Sequence, residues 1–103
     1  MGDRGQVCIN GVYLYTHSDG YRLAADVRRA LARRIRWDDA EYLTRIIFDS
    51  MSEGDHGGEL GYGIGTVEHY DLNNPLITVN TKNQTVRVGD SFYTFEEFIK
   101  VNE

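Results

Sequence analysis

Hydrophobic and polar positions alternate with a period of two near the start of the chain, which predicts an early β-strand. In residues 12–16, Tyr13 and Tyr15 fall on one face and smaller side chains fall on the other. Because both faces are bulky, two interpretations stay open. The segment is either a central strand that is covered on both sides, or a strand whose tyrosine face binds a partner.

Asn10-Gly11 interrupts the β-prone residues 6–16. Asn-Gly between apolar runs is typical of a tight hairpin turn, but the first run here is short. The segment is therefore either a small hairpin or one strand with a bulge at Gly11. Residues 1–5 are polar and are expected to be disordered.

Apolar residues then recur at helical spacing in two stretches, which predicts two central amphipathic helices. The first helix is expected over residues 20–35, and the second opens near residue 38. The predicted buried positions are Leu23, Val27, Ala30 or Leu31, and Ile35 in the first helix, and Leu43, Ile46, Ile47 and Met51 in the second.

The start of the second helix carries a capping pattern. Asp38 as the N-cap and Glu41 three residues later resemble a capping box. Trp37 and Tyr42 have the spacing of a hydrophobic staple around that cap. Glu41 also lies four residues before Arg45, which favours an ion pair between them.

The C-terminal half alternates turn residues with short β-prone runs. Residues 60–67 predict a strand with one bare face, because glycine occupies every second position from 61 to 65. Residues 76–81 and 84–88 predict a hairpin, and residues 91–93 predict a further short strand.

A second capping pattern closes the chain, since Thr94 and Glu97 form a capping box and Tyr93 and Phe98 a staple. It predicts a short C-terminal helix at 95–101. The predicted fold is a single α+β domain over residues 1–103 with the order β-α-α-β-β-β-α. Its antiparallel sheet is expected to have three to five strands, with the helices packed on one face.

The net charge of −5 is unevenly distributed. Residues 1–48 carry eight Arg against six acids (+2), and residues 49–103 carry ten acids against three bases (−7). An acidic surface repels phosphates, so we expect no direct nucleic-acid binding. It favours docking on a basic protein surface, such as one that binds nucleic acid, although solubility alone also explains a charge of this size.

Five of the arginines crowd the end of the first helix and the residues after it, namely Arg28, Arg29, Arg33, Arg34 and Arg36. They are better explained as a solvated helix end that complements the helix dipole than as a nucleic-acid patch. No apolar run reaches membrane-spanning length, so no membrane association is expected. Cys8 is the only cysteine, and a reducing cytoplasm is the simplest compartment.

No catalytic motif stands out from the sequence. His17, His56 and His69 each lie near a carboxylate and are weak candidates for metal ligands, with exposed loop histidines as the favoured explanation. The glycines at 61–65 lack the lysine and the helix of a phosphate-binding loop. We therefore predict no catalytic residues, no metal and no cofactor.

Tyrosine is the more informative excess, with seven in the chain. Tyrosine and tryptophan commonly anchor binding surfaces, which favours a binding module over an enzyme. The predicted partner-binding residues are Tyr13, Tyr15, His17, Asp19, Tyr21, Arg36, Trp37, Asp39, Tyr62, Glu68 and Asp71.

The segments 12–17, 36–39, 42–48 and 61–64 (VYLYTH, RWDD, YLTRIIF and GYGI) resemble a family of small tailed-phage and mobile-element proteins. The resemblance extends over residues 7–99, although Ser18 stands where the family pattern has tryptophan. It implies a protein of the infected bacterial cytoplasm, and by association an inhibitor of host defence of the anti-CRISPR kind.

The expected function is therefore a small acidic protein, monomeric or a small homo-oligomer, that binds and inhibits a host protein such as a CRISPR-type nucleic-acid-binding complex. One alternative is a small metal- or nucleotide-dependent enzyme, or a nucleotide-binding protein, centred on His17, Asp19 and the strand at Gly61–Gly65. A second alternative is a structural or assembly module.

Overall fold

The computed structural model describes residues 2–53 and 61–101, which form an α+β fold with one six-stranded sheet and three α-helices. None of the helices in these ranges is long and apolar enough to cross a membrane. In chain order the elements are β1 (Gly5–Ile9), β2 (Val12–Thr16), a 3-10 helix (Gly20–Arg22), α1 (Leu23–Ala32), α2 (Ala40–Met51), β3 (Tyr62–Gly65), β4 (Ile77–Asn80), β5 (Thr85–Val88), β6 (Ser91–Thr94) and α3 (Phe95–Ile99).

The strand order across the sheet is β3-β2-β1-β4-β5-β6. Neighbouring strands are antiparallel except β1 and β4, which run parallel with Val7 opposite Ile77. The prediction of a purely antiparallel sheet with three to five strands is therefore wrong. Short turns fix only the hairpin neighbours, whereas β3 and β4 reach the two edges of the first hairpin through longer connections.

The first hairpin is closed by Asn10 and Gly11, whose φ angles are 56° and 74°. Two successive positive φ values define the type I′ turn that suits the twist of a two-residue hairpin. Of the two alternatives for residues 6–16, the hairpin is confirmed and the bulged single strand is wrong.

The N-terminal residues, which we expected to be disordered, make several backbone hydrogen bonds from residue 3 onward. The Asp3 amide donates to the His17 carbonyl at 2.8 Å, and the Asp3 carbonyl accepts from the Gly20 amide at 2.8 Å. A Cβ on Gly20 would lie 2.6 Å from the Asp3 carbonyl oxygen, so this close approach requires glycine. These contacts fix the turn that joins β2 to the 3-10 helix.

The helices pack on one face of the sheet, as predicted. Their apolar stripes meet the side chains that β1, β2, β4 and β5 direct to that face. The buried core comprises Val7, Ile9, Leu14, Leu23, Val27, Ala30, Leu31, Leu43, Ile46, Ile47, Met51, Ile77, Val79, Val86, Phe95 and Phe98. Both predicted stripes are confirmed except at Ile35, which is 44% exposed.

The first helix is shorter than predicted, because α1 ends at Ala32. Arg34 and Arg36 have φ angles of 59° and 60°, a left-handed conformation that cannot continue an α-helix. This ending turns the chain and removes Ile35 from the buried stripe.

The start of α2 differs from the predicted capping by one residue. Asp39, and not Asp38, is the N-cap, and its carboxylate accepts from the Tyr42 amide at 3.3 Å. The shift removes both the predicted capping box and the predicted staple. Trp37 packs instead edge-on against Phe95, with ring centroids 5.3 Å apart.

Ion pairing within α2 also differs from the prediction. Arg45 pairs with Asp49 in the following turn, where we expected Glu41 in the preceding turn. At the other end of the chain, both features predicted for α3 are confirmed. Thr94 and Glu97 form a reciprocal capping box, and the rings of Tyr93 and Phe98 lie 5.4 Å apart.

Candidate functional site

The sheet has a second face, here called the open face, on which no helix of the described residues packs. Tyr13 and Tyr15 project there from β2 and are half-buried. Within the described residues, helices cover only one side of β2, and part of the loop 66–69 lies on the other side. The side chains that the register assigns to the open face include Gln6, Cys8, Tyr13, Tyr15, Thr78, Arg87 and Phe92.

Two glycines of β3 lie directly beside the tyrosines, with Gly65 opposite Tyr13 and Gly63 opposite Tyr15. A Cβ added at either glycine would meet no described atom within 4 Å. The prediction of a strand with a bare face is thus confirmed. The bare backbone leaves room beside the two rings that any larger residue would fill.

Gln6 holds the chain that follows β3 against the open face. Its side chain is 1% exposed, donates from Nε2 to the Val67 carbonyl at 3.2 Å, and accepts at Oε1 from the His69 amide at 2.9 Å. Each Gln6 amide atom therefore has a backbone partner about sixty residues later in the chain. Such pairing removes the cost of burying the amide and fixes residues 66–69.

The His69 ring consequently stacks on Tyr15, with centroids 4.6 Å apart and planes 18° from parallel. The result is a groove of about 260 Å³, here called the aromatic groove. It is lined by Gln6, Tyr13, Tyr15, Gly63, Ile64, Gly65, Thr66, Val67 and His69. Val67 at its rim is 70% exposed, so the groove presents apolar surface to solvent.

The negative charge at the groove comes from the loop that Gln6 holds. Glu68 is exposed and makes no ion pair with any residue of 2–53 or 61–101. Asp71 lies 3.7 Å from Arg4 and 3.8 Å from the His69 ring, and about half of its side chain stays exposed. The groove therefore has a carboxylate rim with at least one unpaired member.

Tyr13 remains a neutral phenol at the groove. The neighbouring Cys8 thiol is the main cause that raises the pKa of Tyr13, and the nearby Glu68 charge adds to it. A neutral, half-buried ring with a polar hydroxyl suits contact with both apolar and polar groups of a partner.

The arginines of the helices are largely neutralised by the chain itself. Arginines that are paired with carboxylates are less available to contact the phosphates of a nucleic acid. The pairs are Arg22–Asp19, Arg29–Asp26, Arg29–Glu53, Arg34–Glu96, Arg36–Asp39 and Arg45–Asp49. This pattern agrees with a solvated helix surface, the explanation that the sequence favours.

Several predicted site residues have structural roles outside the groove. Asp19 accepts hydrogen bonds from the Tyr62 hydroxyl and from Arg22. Burial, followed by the contact with Asp19, raises the pKa of Tyr62 to about 12. Tyr21 is 69% exposed, and its amide donates to Asp3 at 2.9 Å.

The predicted corner of Arg36, Trp37 and Asp39 belongs to the connection between α1 and α2. The Trp37 ring nitrogen donates to the Leu31 carbonyl at 3.0 Å, and Arg36 lies over the Tyr42 ring at 4.5 Å. This corner contacts α3 and not the aromatic groove. The corner residues and the predicted site residues at the groove therefore lie on separate parts of the surface.

The histidines proposed as metal ligands lie on both sides of Tyr15. The Tyr15 hydroxyl is 3.3 Å from Nδ1 of the exposed His17, and His69 stacks on the Tyr15 ring. Among residues 2–53 and 61–101, no group of three or more His, Cys, Asp or Glu side chains is placed to hold a metal ion. His56 lies outside the described residues.

The structure thus brings together Tyr13, Tyr15 and Glu68 at the groove, with His17 and Asp71 beside it. The sequence-based prediction missed Gln6 and Val67, and it considered His69 only as a metal ligand. A lone glutamine in a β-prone run was the available signal, but its partners lie far away in the chain. Comparison with protein-family models, curated proteins and solved structures gives no match to this chain.

Proposed function

We propose that this protein is a binding module that docks its aromatic groove on a basic surface of a partner protein. The partner we favour is a nucleic-acid-binding host factor, and docking blocks that factor by covering its basic surface. The resemblance to small tailed-phage proteins is the reason for naming a bacterial defence complex of the CRISPR type.

One observation carries the proposal: exposed aromatic surface lies beside a carboxylate that has no partner within the described chain. Tyr13, Tyr15 and Val67 supply the apolar area, and Glu68 supplies the free charge. Aromatic anchors with a charged rim are typical of protein-binding surfaces. A cationic partner would satisfy Glu68 and would be steered towards it by the acidic half of the chain.

The ion pairing of the arginines also supports an acidic docking surface and a basic partner. Because Arg22, Arg29 and Arg34 are paired with carboxylates, they contribute little free positive potential. The residues from 49 onward keep an excess of acids. A surface of this kind repels nucleic acid and competes with it for basic proteins.

The test is capture of proteins from a bacterial host lysate with the immobilised chain. Tyr15→Ala removes a groove anchor, and Phe92→Ala is the matched control, since Phe92 is an exposed aromatic at the far edge of the same face. We expect a nucleic-acid-binding protein to be retained by the wild type and by Phe92→Ala, and to be lost with Tyr15→Ala. Retention should weaken as salt rises.

The captured protein is then offered its nucleic acid together with increasing amounts of the chain. Competition that depends on Tyr15 supports the inhibitory role. Retention that is equal for both alanine variants and insensitive to salt would reject the groove as the docking surface. A ternary complex with nucleic acid would reject the blocking mechanism.

A further inference from the structure

The strand β3 forms one edge of the sheet, and half of its backbone groups face outward. His17 donates to the Gly61 carbonyl at 2.9 Å, and Tyr15 and Tyr13 pair with Gly63 and Gly65. Antiparallel pairing alternates, so the glycines direct their backbone groups to β2, and Ile64 directs its N–H and C=O away from the sheet. Within residues 2–53 and 61–101, these Ile64 groups have no hydrogen-bond partner.

The β3 edge also lacks the usual features that prevent further pairing. Natural edge strands carry lysine, proline or a bulge to block an added strand. The residues of β3 are Tyr-Gly-Ile-Gly, and Ile64 is 63% exposed. At the opposite edge, β6 has an equally exposed residue, Phe92, but the Arg87 guanidinium lies over its ring at 5.6 Å.

Charge determines what kind of strand fits this edge. Residues 66–81, which follow β3, contain no Lys or Arg and carry two carboxylates. Glu68 has no ion pair within the described residues, and Asp71 lies 3.7 Å from Arg4. A second copy of the chain would bring two such acidic stretches together, which costs free energy. A segment that carries Lys or Arg is attracted by the same stretch.

The side-chain alternation adds a sequence pattern. A residue opposite Ile64 shares its face and meets an exposed apolar side chain. Residues opposite Gly63 and Gly65 lie on the open face, where the glycines leave space beside Tyr13 and Tyr15. Long basic side chains at those positions fit this space and project on the same face as the loop that carries Glu68.

We propose that β3 accepts an extended segment of the partner as a seventh, antiparallel strand. The segment carries an apolar residue opposite Ile64 and Lys or Arg opposite Gly63 and Gly65. This inference rests on the proposed protein-binding function and specifies how the partner is recognised. Main-chain hydrogen bonds supply affinity, and the alternating side chains supply specificity.

The probe is the synthetic peptide Lys-Val-Lys-Val-Lys-Val-Lys, titrated into the isotope-labelled chain and followed by amide NMR shifts. We expect saturable shifts at Ile64 and its neighbours, and no binding of the same peptide with Glu in place of Lys. In the proposed register, valine N–H groups point to β3 and lysine N–H groups point away. N-methylation of the valines should therefore weaken binding at least about tenfold, whereas N-methylation of the lysines should leave it unchanged.

Two variants test the same edge from the other side. Ile64→Pro removes the outward N–H and leaves the glycine pairing to β2, and Ile64→Lys adds a repelling charge at an exposed position. Both should lose the peptide while their spectra keep the folded dispersion. The lysine variant keeps the test valid if the proline variant fails to fold.

The outcomes separate this inference from the proposed function. If the protein binds both N-methylated forms of the peptide equally, strand addition is wrong and groove docking stands. The same conclusion follows if the protein binds no peptide but still retains the lysate partner. If neither the peptide nor a basic protein binds, both are wrong. If the wild type self-associates and Ile64→Lys is monomeric, the edge pairs with a second copy, which overturns the basic-segment assignment.

Discussion

The aromatic groove and the surface between α1 and α2 differ in how their polar side chains are paired. In the groove, the amide of Gln6 is fully paired and holds a loop whose own carboxylate, Glu68, stays unpaired. Between the helices, carboxylates are matched with arginines, yet the buried Asp26 keeps one oxygen, Oδ2, with no hydrogen-bond partner in the described chain. In the groove, the neutral Gln6 amide stabilises the loop, and the Glu68 carboxylate remains available to a partner. On the helix surface, most carboxylates are paired with arginines of the same chain.

The largest effect in this comparison should come from Gln6→Ala. The change leaves the Val67 carbonyl and the His69 amide without their partner, and each unsatisfied buried group costs about 1–3 kcal/mol. We expect the free energy of unfolding to fall by about 2–3 kcal/mol, since residues 66–69 relax towards solvent and recover part of the loss. Chemical denaturation measures this change.

The control for Gln6→Ala is Arg87→Ala. Arg87 makes one exposed hydrogen bond, to the Gly89 carbonyl at 2.8 Å, on the same face. Its loss should change the free energy of unfolding by less than about 0.5 kcal/mol. Equal effects of the two substitutions would mean that Gln6 does not hold the loop.

A smaller effect, visible through its pH dependence, is expected for Asp26→Asn. Burial is the largest cause that raises the pKa of Asp26, and the Arg29 charge only partly opposes it. A raised folded-state pKa means that the carboxyl contributes most stability when it is protonated, and that this contribution is lost as pH rises through the folded-state pKa. Relative to the asparagine variant, the wild type should therefore gain stability as pH falls below neutrality.

Thermal unfolding of Asp26→Asn and the wild type across acidic pH checks the sign. The comparison needs matched ionic strength, because Arg22, Arg29 and Asp19 also act on Asp26. A wild type that loses stability relative to the variant on acidification would contradict a raised pKa.

The smallest effect on stability is expected for Glu68→Gln. Because Glu68 has no ion pair within the described chain, its removal should leave the melting temperature unchanged while it weakens binding of a basic partner. Glu96→Gln is the matched change on the helix surface, where the Arg34 contact lowers the pKa of Glu96. Glu96→Gln should be slightly less stable than the wild type and should bind the basic partner equally well. If instead Glu96→Gln weakened binding and Glu68→Gln lowered stability, the helix surface and not the groove would bind the partner.

The sequence was sufficient to predict most local elements of this fold. The stripes of α1 and α2 and the cap at Thr94 depend on neighbours within a few residues, so the pattern contains them. The same pattern left the Asn10-Gly11 segment open between a hairpin turn and a bulge. The parallel pairing of β1 with β4 depends on which strand edge a long connection reaches, and residue pattern does not encode that choice. The cap at Asp39 shows the same limit at short range, since two successive aspartates offer equivalent caps.

The candidate site was predictable only in part, for a related reason. Tyr13 and Tyr15 were recognised from alternation along one strand, and the bare face of β3 from its glycines. The contact between Gln6 and residues 67–69 spans most of the chain, and no local signal records it. Trp37 packs against Phe95, and composition alone cannot distinguish an aromatic anchor for a partner from an aromatic that makes such an internal contact.

The parallel pairing of β1 and β4 also has a consequence for folding in the cell. The hairpin of β1 and β2 is local and forms quickly, but β1 acquires its other neighbour only when Val7 meets Ile77. Until the ribosome has released residues 77–79, the central strand of the sheet has an unpaired edge. If synthesis stalls before β4, the nascent chain therefore exposes the unpaired backbone groups of β1, and chaperones and proteases would recognise it.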